Sequence, residues 1–173
     1  PFYIVTQLSE QIETISQAGA KVTVIASPTE PNVSVDLSSE HYEYVPIHIP
    51  REINILKDIV ALTKLWQLFR TRRFDIVHST TPKAGLLCAI AAKMAGIPIR
   101  LHTFTGQTWV TLEGFKKQLV KFCDKIIGRL NTCCFTDSLS QKEYLIEQQV
   151  VPSNKLQVLG KGSLAGVNIE RFS

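Results

Sequence analysis

The regular exchange of short strand-like runs for longer helical ones restricts the folds open to this chain more than any other feature. Residues 21–26, 44–48, 74–79, 99–104, 132–136 and 156–159 have strand composition. Between most of them the apolar residues recur at helical spacing. One helix is predicted over residues 4–18 and stops at Gly19. A second carries Ile55, Ile59, Leu62, Trp66 and Phe69 on one face. Thr81 and Pro82 open a third that runs to Gly96, and residues 112–130 and 139–148 supply two more. Strands alternating with helices across one domain predict an α/β, Rossmann-like fold. Its sheet is mostly parallel, with helices on both faces.

Two departures from that pattern bear on domain organisation. No strand precedes the first helix, because the apolar residues of 2–5 continue the helical phase into Leu8. The first strand of the fold is therefore expected to be missing. The stretch from Gly166 to Ser173 reads as the start of a connection. The expected layout is one domain over residues 1–160 and the beginning of a linker over 161–173. Residues 27–40, rich in Ser, Pro, Glu and Asn, read as a surface loop, and Pro46 suits an edge or strand-end position.

Composition narrows the class. With 173 residues, 45% hydrophobic and 20% charged, the chain has enough apolar surface for one substantial core. No apolar run approaches the roughly 20 residues needed to span a bilayer, and no cleavable signal opens the sequence. A net charge of +4 does not choose between a nucleic acid, a phosphorylated substrate and a lipid surface. Cys88, Cys123, Cys133 and Cys134 stand among apolar neighbours without a CxxC or CxxH pair, so they read as small buried side chains in a reducing compartment.

In open parallel sheets ligands bind beyond the carboxyl ends of the strands, which singles out three turns. The first runs from His78 through Thr81 and Lys83 to Gly85. Backbone N–H groups at a helix start attract anions, and a lysine placed against the dipole there points to a phosphate or sugar-phosphate. His78 ends a strand and fits a structural role at least as well as a catalytic one. The second turn holds Thr105 and Gly106. The third, from Gly160 to Gly166, is glycine-rich without being a P-loop or a dinucleotide fingerprint, and reads better as a hinge. No metal-ligand spacing, no Ser/His/Asp set and no Asp-x-Asp is present.

The predicted helix near residue 114 interleaves Lys116, Lys117, Lys121, Lys125 and Arg129 with Phe115, Leu119, Phe122 and Ile126. Such a pattern serves either an anionic membrane surface or a core helix whose cationic face is solvated.

These pieces together resemble a known family. Phe74-Asp-Ile-Val-His78, Thr81-Pro-Lys-Ala-Gly85, Ala95-Gly-Ile-Pro-Ile-Arg100, Thr103-Phe-Thr-Gly106 and the closing run from Gly162 through Gly166 to Phe172 are similar, in order and spacing, to the N-terminal domain of family 4 retaining glycosyltransferases. The subgroup closest in pattern builds capsular polysaccharide, lipopolysaccharide chains and lipid-linked glycans. The resemblance implies one half of a two-domain GT-B enzyme that binds the acceptor. A nucleotide-sugar donor, held mainly by a second domain, serves as co-substrate, with neither metal nor cofactor. It places His78, Thr81, Lys83, Gly85, Thr105 and Gly106 along the interdomain cleft. Gly162, Ser163, Gly166 and Asn168 would lead to the donor side. The partners implied are a lipid-linked or saccharide acceptor and an anionic membrane surface, not a nucleic acid. The expected location is the cytoplasmic face of the cell membrane.

Where many relatives carry a histidine before the glycine of the third motif this chain has Thr105, so no catalytic residue is assigned. Residues 1–173 alone are expected to be inactive. The competing readings are half of a nucleotide-sugar 2-epimerase with the same architecture, and a non-catalytic Rossmann-like binding module.

Overall fold

Among the described residues every strand pair is parallel, as the alternation predicts. The computed structural model describes residues 7–28, 39–50 and 52–162. They fall into two compact units, one made of the described residues up to Lys57 and the other of those from Asp58 onward. The strands divide accordingly. β1 (Val22–Ala26) pairs with β2 (Tyr42–Pro46), and a separate sheet has the order β3-β4-β5-β6. A single sheet was expected; among the described residues there are two. The helical phase expected over residues 2–5 lies outside the described residues.

In the first unit α1 (Ser9–Gln17) packs on β1. The Tyr44 hydroxyl donates to the carbonyls of Ala26 and Ser27, and Ser27 bridges to the backbone of Ile49. β2 ends at Pro46, which has no N–H to continue a ladder.

The second unit holds the larger core. β3 (Ile76–Ser79), β4 (Ile99–Phe104), β5 (Cys133–Thr136) and β6 (Leu156–Val158) alternate with α3 (Pro82–Ala95), α4 (Gly114–Leu130) and α5 (Leu139–Glu147). Register and pleat place Ser79, His102, Phe104, Cys134, Thr136 and Leu156 on one face of the sheet. On that side Phe104, Trp109, Ile127, Cys134, Leu145, Val150, Val151 and Leu156 form a continuous apolar cluster. α3 ends at Gly96 in the left-handed conformation, φ +76°, as its glycine predicts. Ser138 caps α5 by accepting from the Gln141 amide, while the Gln141 side chain accepts from the Asp137 amide.

Three sequence expectations shift. α2 (Ile55–Arg72) buries Ala61, Leu65 and Phe69, with Phe69 edge-on to Phe74 at 5.9 Å. Ile55 and Ile59 are exposed. Apolar residues surround much of this helix, so its period does not pick one face, and Ala61 permits the closer approach. Among the described residues β3 is the edge strand of its sheet, and Ile76 and His78 are exposed where a buried strand was expected. α4 begins at Gly114 rather than 112, because Gly114 has φ +57° and Glu113 before it is extended. Residues Thr108–Thr111 form a separate 3₁₀ turn.

Candidate functional site

The carboxyl ends of β3 and β4 meet through side chains of the two strands and the turns that follow. His78 Nε2 lies 2.8 Å from Thr103 Oγ1, and the Thr105 hydroxyl donates to the Thr80 carbonyl at 3.3 Å. Partial desolvation of the His78 ring lowers its pKa. Next to it Ser79 Oγ is 2.9 Å from Nδ1 of His102. This Ser–His pair is not a nucleophile and base. Both residues are buried, and burial, assisted by the nearby His78 charge, pulls the His102 pKa down to about 3. The pair joins two strands.

The helix start at Thr81 differs from its sequence reading. Thr81 caps α3 through its backbone only: its carbonyl accepts from the Gly85 amide at 2.6 Å, and its side chain forms no cap bond. Lys83, expected to face an anion, is only 23% exposed, and its Nζ lies 2.7 Å from Asp58 Oδ1 on α2. Asp58, 25 positions away, supplies the countercharge that the local sequence lacked. Gly85 is buried against His102, where an added Cβ would stand 2.5 Å from the ring. Packing therefore accounts for this glycine. Gly106 is different. It is exposed, has φ +148°, and a Cβ there would meet open space. Thr81, Thr105 and Gly106 thus form the exposed rim beyond β3 and β4.

The rim continues past β5 and β6. Gly162 lies so close to the Asp137 backbone that a Cβ would come within 2.3 Å of the Asp137 carbonyl oxygen. Asp137 Oδ1 is buried and has no hydrogen-bond partner among the described residues. Sequence reasoning passed over this carboxylate. Its signal was position: it directly follows the last residue of a parallel strand. Ser163, Gly166 and Asn168 lie outside the described residues.

α4 presents a second surface. It turns Asp124, Ile127 and Gly128 inward, where Gly128 permits contact with the backbone of Val150 and Val151. Trp109, wholly buried, donates from Nε1 to Asp124 Oδ2 at 2.8 Å and stacks on Tyr144. Burial lifts the Asp124 pKa to about 6, and the Trp109 hydrogen bond opposes that rise. Outward face Phe115, 80% exposed, Phe122, 58%, and Leu119, 42%. The aromatic stripe is therefore not the core face of this helix. Among the described residues no carboxylate pairs with Lys116, Lys117, Lys121, Lys125 or Arg129.

Residues 4–162 match the sequence profile of the Glycosyl transferase 4-like domain. The chain belongs to this family. Within it, the chain is 33% identical over 162 residues to the capsular polysaccharide biosynthesis glycosyltransferase CapM of Staphylococcus aureus, covering 94% of this chain and 42% of the relative. It is 32% identical over 127 residues to UDP-Gal:alpha-D-GlcNAc-diphosphoundecaprenol alpha-1,3-galactosyltransferase of Escherichia coli, covering 71% and 31%. The chain thus spans less than half the length of these curated relatives. Among solved structures, sucrose-phosphate synthase from Thermosynechococcus elongatus superposes with a TM-score of 0.63 at 18% identity, covering 92% of this chain and 42% of that one. At that identity the likeness is one of fold. It agrees with the α/β class read from the sequence. Among the described residues of this glycosyl transferase 4-like domain, no helix is long and apolar enough to cross a membrane.

Proposed function

We propose that this chain is the acceptor-side part of a retaining glycosyltransferase. The enzyme moves a sugar from a nucleotide-sugar to a lipid-linked or saccharide acceptor in cell-surface glycan assembly, without a metal or cofactor. One observation carries the reading. A domain of the glycosyl transferase 4-like family exposes an aromatic and aliphatic stripe on α4 beside lysines that no described carboxylate pairs with. A wet core helix would turn that stripe inward; a helix that meets a lipid surface turns it outward.

Thr81, Thr105 and Gly106 then line the acceptor cleft, with His78, Lys83 and Gly85 holding that rim from behind. Gly162, Ser163, Gly166 and Asn168 lead toward the donor side. Lys116, Lys117, Lys121, Lys125 and Arg129 bring the protein to the cytoplasmic face of an anionic membrane. Each cation near such a surface contributes about 1 kcal/mol, so attachment is peripheral and reversible. The names of the two relatives, one for capsular polysaccharide and one for a diphosphoundecaprenol-linked acceptor, support this direction.

The test uses the full-length protein with a panel of nucleotide-sugars and a diphosphoundecaprenol-linked acceptor in anionic vesicles. The expected product carries the donor's anomeric configuration by NMR, and chelators leave its rate unchanged. Epimerised nucleotide-sugar without transfer would instead establish an epimerase, and absence of both reactions a binding module.

A further inference from the structure

Lys117, Lys121, Lys125 and Arg129 follow one another at four-residue steps along α4. Residues so spaced lie about 5–6 Å apart at their Cβ atoms, and like charges there destabilise a helix. Lys117 also stands in the first turns, against the helix dipole. No described carboxylate relieves this ladder. An isolated domain gains nothing from such a row; a bound polyanion would offset its self-repulsion.

The surface is indented between the second and third rungs. A groove of about 300 Å³ is lined by Gln118, Lys121, Phe122 and Lys125. That volume is at the lower end of the range for small-molecule sites, roughly 300–1,000 Å³. The Lys121 ammonium is fixed at its edge. It donates to Gln148 Oε1 at 2.8 Å and lies 5.1 Å from the centre of the buried Trp109 ring, leaving two of its three donors for a ligand. Fixing the cation beforehand removes much of the ordering cost of binding. Phe122 forms an apolar wall that continues into Leu119 and Phe115.

We propose that this groove binds the doubly charged phosphate headgroup of a membrane lipid. Lys121 and Lys125 contact the phosphate oxygens, the Gln118 amide donates a further hydrogen bond, and Phe122 packs on the first carbons of the chain. One fixed ammonium with a second beside it matches a terminal phosphate, which carries about −1.5 to −2 at pH 7, better than a singly charged phosphodiester. The proposal rests on the membrane reading of α4 and adds headgroup selectivity to it.

The experiment compares binding of the full-length protein to phosphatidylcholine vesicles doped with phosphatidic acid or with phosphatidylglycerol at matched surface potential. Wild type should bind the phosphatidic acid vesicles at least about fivefold more tightly. Lys121→Gln with Lys125→Gln should erase that preference and weaken phosphatidylglycerol binding only as much as any other loss of two charges. Lys125→Gln alone, which disturbs no bond to the fold, should weaken the preference. Lys116→Gln with Lys117→Gln, the same charge loss outside the groove, should reduce both affinities and keep the preference. Equal wild-type affinities, or the same loss from both double variants, would overturn the site while leaving general membrane attachment standing. No binding to any vesicle would remove the membrane reading and this site with it. Short-chain phosphatidic acid, titrated against inorganic phosphate, separates the sources. Equal affinity for the two would mean a bare phosphate site and overturn the lipid assignment.

Discussion

Gly85 and His102 share one packing position: a Cβ on the glycine would stand 2.5 Å from Cε1 and 2.8 Å from Nδ1 of the imidazole. His102 cannot move aside freely, because Ser79 Oγ holds Nδ1 at 2.9 Å and the Phe104 ring lies 4.5 Å away. Gly85→Ala should therefore destabilise the domain by about 1–3 kcal/mol. The better helix propensity of alanine, worth up to about 1 kcal/mol, offsets only part of that. Urea midpoints measure the effect. Combining Gly85→Ala with His102→Asn should cost less than the sum of the single changes, since each relieves the other's clash or void.

His102 also gives stability a pH dependence. Its folded pKa, about 3, lies below the ordinary 6.5 because burial excludes the imidazolium. Between these values the unfolded chain binds the extra proton. The contribution of His102 is therefore complete above pH 6.5 and is lost as pH falls toward 3. His102→Asn should lower stability at pH 7 and flatten its decline between pH 6.5 and 4. An equally steep decline in the variant would show that another group titrates.

For Lys83, read from the sequence as facing an anion, the ion pair with Asp58 makes stability the expected casualty of its removal. Its partner Asp58 is only 18% exposed, so Lys83→Ala removes a close cation from a largely enclosed carboxylate. The expected cost is about 1–3 kcal/mol. Lys83→Met with Asp58→Leu should recover part of it, because the carboxylate and the ammonium that face each other then leave together. Thermal melts of the single and double variants decide the matter. A stable Lys83→Ala protein with a raised acceptor KM would instead return Lys83 to the acceptor cleft.

The order of elements was legible because glycine and proline punctuate the chain at real ends, as at Pro82 and Gly96. The site was less so. Asp58 and Lys83 are far apart in sequence, and no local pattern joins them. The orientation of α4 was hidden for a chemical reason. Its inward face includes Asp124 and Gly128, which read as surface residues until the Trp109 indole satisfies the carboxylate and the Val150–Val151 backbone fills the space beside the glycine. Its outward face carries Phe115, Leu119 and Phe122, which read as core. Hydrophobic periodicity detects that a helix has two faces. It does not say which face is wet when a buried polar pair or a lipid surface inverts the usual assignment.

That buried pair makes the last prediction. Burial raises the Asp124 pKa from 3.8 to about 6, and the hydrogen bond from Trp109 limits the rise. A raised carboxyl pKa stabilises the fold below pH 4, where the acid is neutral in both states. That benefit is lost as pH rises through 6, when the folded protein must hold a desolvated charge. Asp124→Asn keeps an acceptor for the indole and removes the charge. Relative to wild type it should therefore gain about 1–3 kcal/mol between pH 4 and pH 7. Trp109→Phe does the reverse. It withdraws the donor, pushes the carboxyl pKa above 6, and should cost about 1–3 kcal/mol at pH 7, with a smaller loss at pH 4. Urea titrations of the three proteins at both pH values test this directly. Stability differences that stay constant with pH would mean that folding does not raise the Asp124 pKa, and that the indole bond anchors α4 without tuning its ionisation.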